Sequence, residues 1–303
     1  MEIAIMVEGQ MGLNWPRWMR IARAVEDLGF AALHRSDHFT NPNPPDEDSL
    51  ELWVSLTWLA SHTSRIEFGP LVTPVSFRHP AFIARMGAAV DDLSNGRLVL
   101  GVGAGWQERE HHNFSFDLLP LKERFARFEE GLLIITHLLQ KDDPLTFSGK
   151  YYRMHDAVLL PRPLRSVGPP IVIGGNGSKF TLPLVARYAV EWNCVYQTAE
   201  KFTILNRQLD EELAMVNRRP EEVKRTMMTG IRIAIDEKTL ATKLGGRNPE
   251  ELRQRGAVVG TPPEVREQIE KLERVGLQRV MLQWLELDDL EGIELLAKTL
   301  IHG

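Results

Sequence analysis

The residues best suited to chemistry stand just beyond the apolar runs of the chain. Asp37 and His38 follow the run Phe30 to Leu33. Histidine titrates near neutral pH, which makes it a natural proton donor to a reduced centre. The structural alternative is that Asp37 caps a loop while His38 bonds to backbone. Two glycine clusters end other runs, Gly101-Val102-Gly103-Ala104-Gly105-Trp106 and Gly174-Gly175-Asn176-Gly177-Ser178. Glycine lets a backbone N–H approach a phosphate or a flat ring, and a helix starting there adds its dipole. The second cluster lies between a strand and a helix, which suits phosphate; the other reading of both is tight turns. The first is not a dinucleotide fingerprint, because Trp106 stands where the third glycine belongs. Glu108, Glu110, His111 and His112 invite a metal reading, but no HExxH or HxH pair is present. Adjacent helical histidines also point about 100° apart. A solvated helix start, with Glu110 lining a pocket, fits better, and no metal site is expected.

These residues need a frame, and the alternation of short apolar runs with helical periodicity supplies one. Ile3 to Val7, Phe30 to Leu33, Ile66 to Phe68, Leu98 to Leu100, Ile171 to Ile173, Glu191 to Val195, Arg225 to Ile235 and Gln278 to Leu282 read as strands. Each is followed by a segment with one apolar helical face, such as Trp18, Ile21, Ala22, Val25 and Leu28. Eight such units predict an α/β fold of the (β/α)₈ TIM-barrel type, with a two-domain α/β protein cut near Asp142–Pro170 as the other architecture. Residues 1–303 are read as one barrel domain. A proline-rich hairpin and loop is inserted near 142–170, and a second, irregular insertion near 241–260. In a barrel the strand-end loops build the active face, so the polar and glycine residues above converge on one rim.

Composition narrows the class. The chain has 303 residues, 43% hydrophobic and 25% charged, with a net charge of −5. There is no basic stripe for nucleic acid and no run near the ~18 apolar residues of a membrane span. The start Met1 to Val7 lacks a basic leader and reaches Glu8 early, so a cytoplasmic protein is expected. Cys194, the single cysteine, rules out an intrachain disulfide or a cysteine zinc cage and is expected to be buried.

Several blocks together resemble the bacterial-luciferase-like flavin oxidoreductase superfamily. They are Ser36-Asp37-His38, Arg65 to Gly69, Arg78-His79-Pro80-Ala81, Asp91 to Leu98, Gly101 to Trp106 with Glu110-His111, and Pro170 to Gly175. The resemblance is clear to about Asn193 and weaker beyond it. It implies a barrel with a flavin-type cofactor at the strand ends, and the Gly-Ala-Gly-Trp block with Glu110-His111 looks most like members using coenzyme F420; FMN is the alternative. On matching positions, Asp37 and His38 would lie near the reactive ring. Pro70-Leu71 would align with a bulge, often with a cis peptide, behind it, and Val72 would join them in bordering the cofactor. Gly103, Ala104, Gly105, Trp106, Arg109, Gly174, Gly175 and Asn176 would border the cofactor's side chain and phosphate. His38 would exchange the proton that accompanies hydride transfer, with Glu110 orienting it.

The resemblance also implies a homodimer acting on a small-molecule substrate. The sugar-phosphate dehydrogenase branch carries Trp and Glu where this chain has Pro42 and Trp106. Substrate identity is not encoded in the loops Thr40–Asp48 and Asp142–Pro170 that are expected to wall the pocket. Two further functions stay open at this level: an FMN-dependent monooxygenase, and a non-catalytic flavin-binding protein.

Overall fold

Eight short apolar strands pair side by side in parallel and return to the first. In the computed structural model, which describes residues 1–303, they are β1 Glu2–Val7, β2 Ala32–Arg35, β3 Glu67–Pro70, β4 Leu100–Gly103, β5 Ile171–Gly174, β6 Glu191–Val195, β7 Lys224–Ile233 and β8 Arg279–Trp284. β8 pairs with β1 from Glu2↔Arg279 to Val7↔Trp284, closing the ring on that side. The seam between β3 and β4 is closed by a Phe68↔Leu98 bridge and by Thr73–Pro74, which continues β3 past a break and pairs with Val102 and Gly103. The result is the (β/α)₈ barrel that the alternation predicts.

The eight companion helices are α1 Trp15–Asp27, α2 Leu52–His62, α3 Pro80–Leu93, α4 Leu121–Gln140, α5 Thr181–Tyr188, α6 Ala199–Met215, α7 Pro262–Arg274 and α8 Leu290–Leu300. α1 shows how locally they are specified. Asn14 caps it through the Arg17 N–H, Pro16 opens its first turn, and Trp18, Ile21, Ala22 and Val25 form the buried face. Gly29 follows its end at φ +88°, a conformation that disfavours any side chain. None of the helices is long and apolar enough to cross a membrane.

The core has two shells. The larger lies between strands and helices, whereas the lumen is plugged by Ala4, Met6, Ala32, Leu71, Val99, Val172 and Met281. Below that plug the buried Arg279 guanidinium is held by Glu2 and Glu67, with Glu191 3.9 Å away. Charge therefore closes the barrel floor.

Three segments differ from their sequence reading. β2 begins two residues late, because Phe30 turns into the core after Gly29 and pairing starts at Ala32; His34 thereby enters the strand. β4 runs through its glycines instead of ending at them. A Cβ on Gly101 would collide with the Pro70 carbonyl oxygen, so the interrupted β3 can approach β4 only where side chains are missing. The 241–260 stretch is ordered: helices Glu237–Leu244 and Pro249–Gln254 precede strand Val258–Gly260, which pairs with the end of β7. These helices are short and largely polar, with only Leu240 and Leu244 buried in the first and nothing buried in the second, so no periodicity marks them. The 142–170 stretch holds the expected hairpin, Leu145–Ser148 against Arg153–Ala157.

Candidate active site

The C-terminal ends of β1 to β4 carry a polar cluster around His38. Just past β2, the chain presents Asp37 and His38. Beyond β4, the short helix Glu108–Asn113 points Glu110 back at them. Glu110 is buried, and its two oxygens divide the work: Oε1 is 2.9 Å from His38 Nδ1 and Oε2 accepts the Phe39 N–H at 2.9 Å. The carboxylate thus fixes both the ring and the backbone that carries it. His38 Nε2 is left without a protein partner, and the ring stands edge-on to Trp106 at 5.4 Å. Burial opposes the imidazolium most strongly. The Glu110 hydrogen bond and the charges of Glu110, Glu8 and Asp37 outweigh it, so the His38 pKa is raised above 6.5.

Asp37 is engaged otherwise. Thr73 Oγ1 donates to its Oδ2 at 2.8 Å, and Arg78 pairs with both carboxylate oxygens. Burial pushes this carboxyl up against the pull of Arg78. Asp37 orders the β2–β3 rim, while His38 faces the opening.

Behind this cluster β3 breaks. The cis peptide lies between Leu71 and Val72, one bond later than the Pro70-Leu71 position. Val72 projects between Gly103 and Gly174: a Cβ on Gly103 would overlap Val72 Cγ2, and one on Gly174 would touch Val72 Cγ1 at 3.5 Å. Both glycines are room for the bulge. Gly105, at φ +84°, is required because a Cβ would meet Ser76 Oγ and His111 Nε2. His111 itself is spent, with Nδ1 2.7 Å from Gln107 O and Nε2 2.8 Å from Ser76 Oγ. Ala104 and Gly105 are partly exposed and Trp106 is 60% exposed, which makes a flat ledge at the mouth.

Two of the expected cofactor residues are committed elsewhere. Arg109 makes a two-pronged pair with Asp46 at 2.6 Å and bonds Asn41 O, so it clamps the Thr40–Asp48 loop and not the glycine ledge. Asn176 pairs with the Val195 backbone through both amide atoms, extending the β5–β6 seam in place of a ladder bond. Gly175, at φ +127°, offers its carbonyl to Trp192 Nε1. Trp53 and Trp284 are core, while Trp106 is on the surface.

On the other half of the mouth, Glu8, Gln10 and Ser36 follow strand ends as the sequence suggests, whereas Tyr196 and Gln283 went unnoticed. Tyr196 donates to Gln283 Oε1, Gln283 donates to Glu8 Oε1 at 2.5 Å, and Gln10 donates to Glu8 Oε2 at 3.1 Å. Ser36 Oγ then donates to Gln10 Oε1 at 2.9 Å. This chain of polar groups links β6, β8, β1 and β2 across the opening. One signal was available: Arg279, Met281 and Gln283 alternate on the inward face of β8, so Gln283 had to top the lumen.

An interrupted third strand, glycines at the strand ends and a carboxylate-held histidine meet at one mouth of the barrel. The chain belongs to the luciferase-like monooxygenase family, which it matches over residues 3–244. It is 34% identical over 153 residues to the F420-dependent glucose-6-phosphate dehydrogenase of Kineococcus radiotolerans, covering 50% of this chain and 45% of that one. It is 30% identical over 177 residues to the 4-hydroxyprotoasukamycin monooxygenase of Streptomyces nodosus subsp. asukaensis, covering 58% and 46%. The chain spans about half the length of the curated relatives it matches. The solved F420-dependent secondary alcohol dehydrogenase in complex with an F420-acetone adduct superposes with a TM-score of 0.85 at 17% identity, over 99% of this chain and 98% of that one. This likeness concerns the fold.

Proposed function

We propose that the protein is an oxidoreductase that uses the deazaflavin F420 to move hydride to or from a small organic substrate. The observation that carries this reading is the His38–Glu110 pair beside the Val72 bulge, with one ring nitrogen free toward the opening. The residues at this ledge fit a flat group. Val72, seated in the room that Gly103 and Gly174 leave, supplies an apolar backing, and Ala104 and Gly105 stand partly exposed beside it. When bound, F420 would supply the hydride chemistry, and the protein supplies orientation and proton handling. His38 Nε2 gives a proton to, or takes one from, the substrate oxygen as the adjacent carbon gains or loses hydride. Glu110 holds the ring in one tautomer and supports its charged form. The raised pKa keeps His38 available as an acid near neutral pH.

The substrate itself is not carried over from the glucose-6-phosphate dehydrogenases, because Pro42 and Trp106 depart from that branch. We also read residues 1–303 as one barrel unit acting as a homodimer, supported by exposed Val54, Phe82 and Leu93 on the neighbouring helices α2 and α3.

Titration of the purified protein with F420 and, separately, with FMN, followed by ligand fluorescence, tests this. Micromolar binding of F420 alone supports it. Preferential FMN binding with oxygen consumption replaces it by the monooxygenase reading, which the Streptomyces relative favours. Binding of neither overturns both.

A further inference from the structure

Across β8 from β1, the mouth carries a guanidinium with an unused edge. Met228, Gly230 and Arg232 lie on the inward face of β7. Gly230 stands in register with Gln283, and a Cβ on it would meet the Tyr196 hydroxyl at 2.8 Å. Arg232 is therefore the next inward position toward the rim, beside the Tyr196–Gln283–Glu8 chain. Its Nη1 donates to Ile231 O at 2.7 Å. Its Nε is buried with no hydrogen-bond partner, and no protein acceptor takes Nη2. The nearby carboxylate, Glu286, has Oε1 3.8 Å from Nε, beyond hydrogen-bond reach, while its Oε2 is taken by Lys243 Nζ at 3.2 Å. Lys243 also holds Asp289 at 2.5 Å.

The Nε–Nη2 edge is the fork that pairs two-pronged with a planar oxyanion. A largely buried cation whose Nε–Nη2 edge makes no hydrogen bond, with a carboxylate no closer than 3.8 Å, is costly unless a ligand fills it. Arg247, anchored by its Nε to Leu244 O at 2.8 Å, adds positive charge nearby. Burial and Arg247 both weigh against the Arg232 charge, and Glu286 and Tyr196 favour it.

We infer that Arg232, flanked by Arg247 and Tyr196, anchors an oxyanion carried by the substrate, a carboxylate or a phosphate. This deepens the proposed function and rests on its reading of the mouth as the substrate site. It lies on β7, apart from the β3–β5 ledge assigned to the cofactor.

Isothermal titration calorimetry of the full chain with inorganic phosphate and, separately, with acetate tests it without any cofactor. One of the two anions should bind the wild type, and which one binds identifies the group. Arg232→Met should weaken that binding about tenfold or more. Arg232→Lys, which keeps the charge but not the fork, should fall between, and it preserves the test if the methionine variant fails to fold. No binding by the wild type, or equal binding in all three proteins, overturns the inference. F420 affinity should be unchanged in Arg232→Met. If F420 fails to bind the wild type while phosphate or acetate binding depends on Arg232, the cofactor reading falls and the anion site stands. If F420 binds and neither anion does, the reverse holds.

Discussion

His34 and His38 are four residues apart, yet the barrel drives them in opposite directions. His34 is on β2 in the lumen, fully buried, with neither ring nitrogen hydrogen-bonded. Burial, joined by the charge of Arg279, pushes its pKa down to about 3. His38 is also largely enclosed, but its neighbours are Glu110, Glu8 and Asp37, and its pKa rises. Burial lowers both, and only at His38 do a carboxylate hydrogen bond and nearby negative charges outweigh it. The floor spends its charge internally, as Arg279 is caged by Glu2, Glu67 and Glu191. The mouth keeps a ring nitrogen and a guanidinium edge unspent. On the proposed function, the first arrangement serves the fold and the second serves chemistry.

That contrast can be broken from either end. His38→Ala should lower kcat of F420-linked turnover by about 10²–10⁴-fold with cofactor affinity retained. An unchanged rate would instead describe a protein that binds flavin without catalysis. Arg279→Met should leave three carboxylates facing one another across the floor and cost about 3–5 kcal/mol of unfolding free energy, measured in urea. The rate of the folded fraction should be little altered. Gly103→Ala, which forces a Cβ onto Val72, should cost about 1–3 kcal/mol in the same assay and weaken cofactor binding.

The pH predictions follow from the two histidines. The folded state holds the His34 pKa below its unfolded value of about 6.5, so its stabilising effect is present above that pH. It is lost as pH falls toward about 3. His34→Leu should therefore flatten the acid side of the stability profile in that window. His38 behaves inversely. Its pKa is raised on folding, so its contribution is present below the unfolded value and lost as pH rises through the folded one. Glu110→Gln should move the His38 limb of the pH–rate profile to lower pH. A limb that stays put would separate His38 from Glu110.

Much of the frame was readable in order along the chain. The alternation of apolar runs with amphipathic helices marks all eight units, because each helix writes its buried face locally, as Trp18, Ile21, Ala22 and Val25 do in α1. The 241–260 helices were not readable, since they bury too few side chains to leave a period. At the site, Asp37 and His38 stood out as residue types beside a strand end. Glu110 was tied to His38 only through the family resemblance, and Arg78 was not tied to Asp37 at all: the first contact spans 72 residues and the second 41. Arg109 and Asn176 looked free for a cofactor, and only the folded loops reveal Asp46 and the Val195 backbone as their partners.

The sequence by itself determined the strand–helix rhythm, the glycine positions and the candidate acid–base residue, because these depend on local periodicity and on single-residue chemistry. Tertiary structure alone decided which charges cancel and which remain. Closing the ring brings β1 beside β8, and with it Glu2 to Arg279 and Glu8 to Gln283, pairs more than 270 residues apart. The sign of a histidine's surroundings and the unpaired edge of a guanidinium are properties of those long-range neighbours, and no local stretch of chain specifies them.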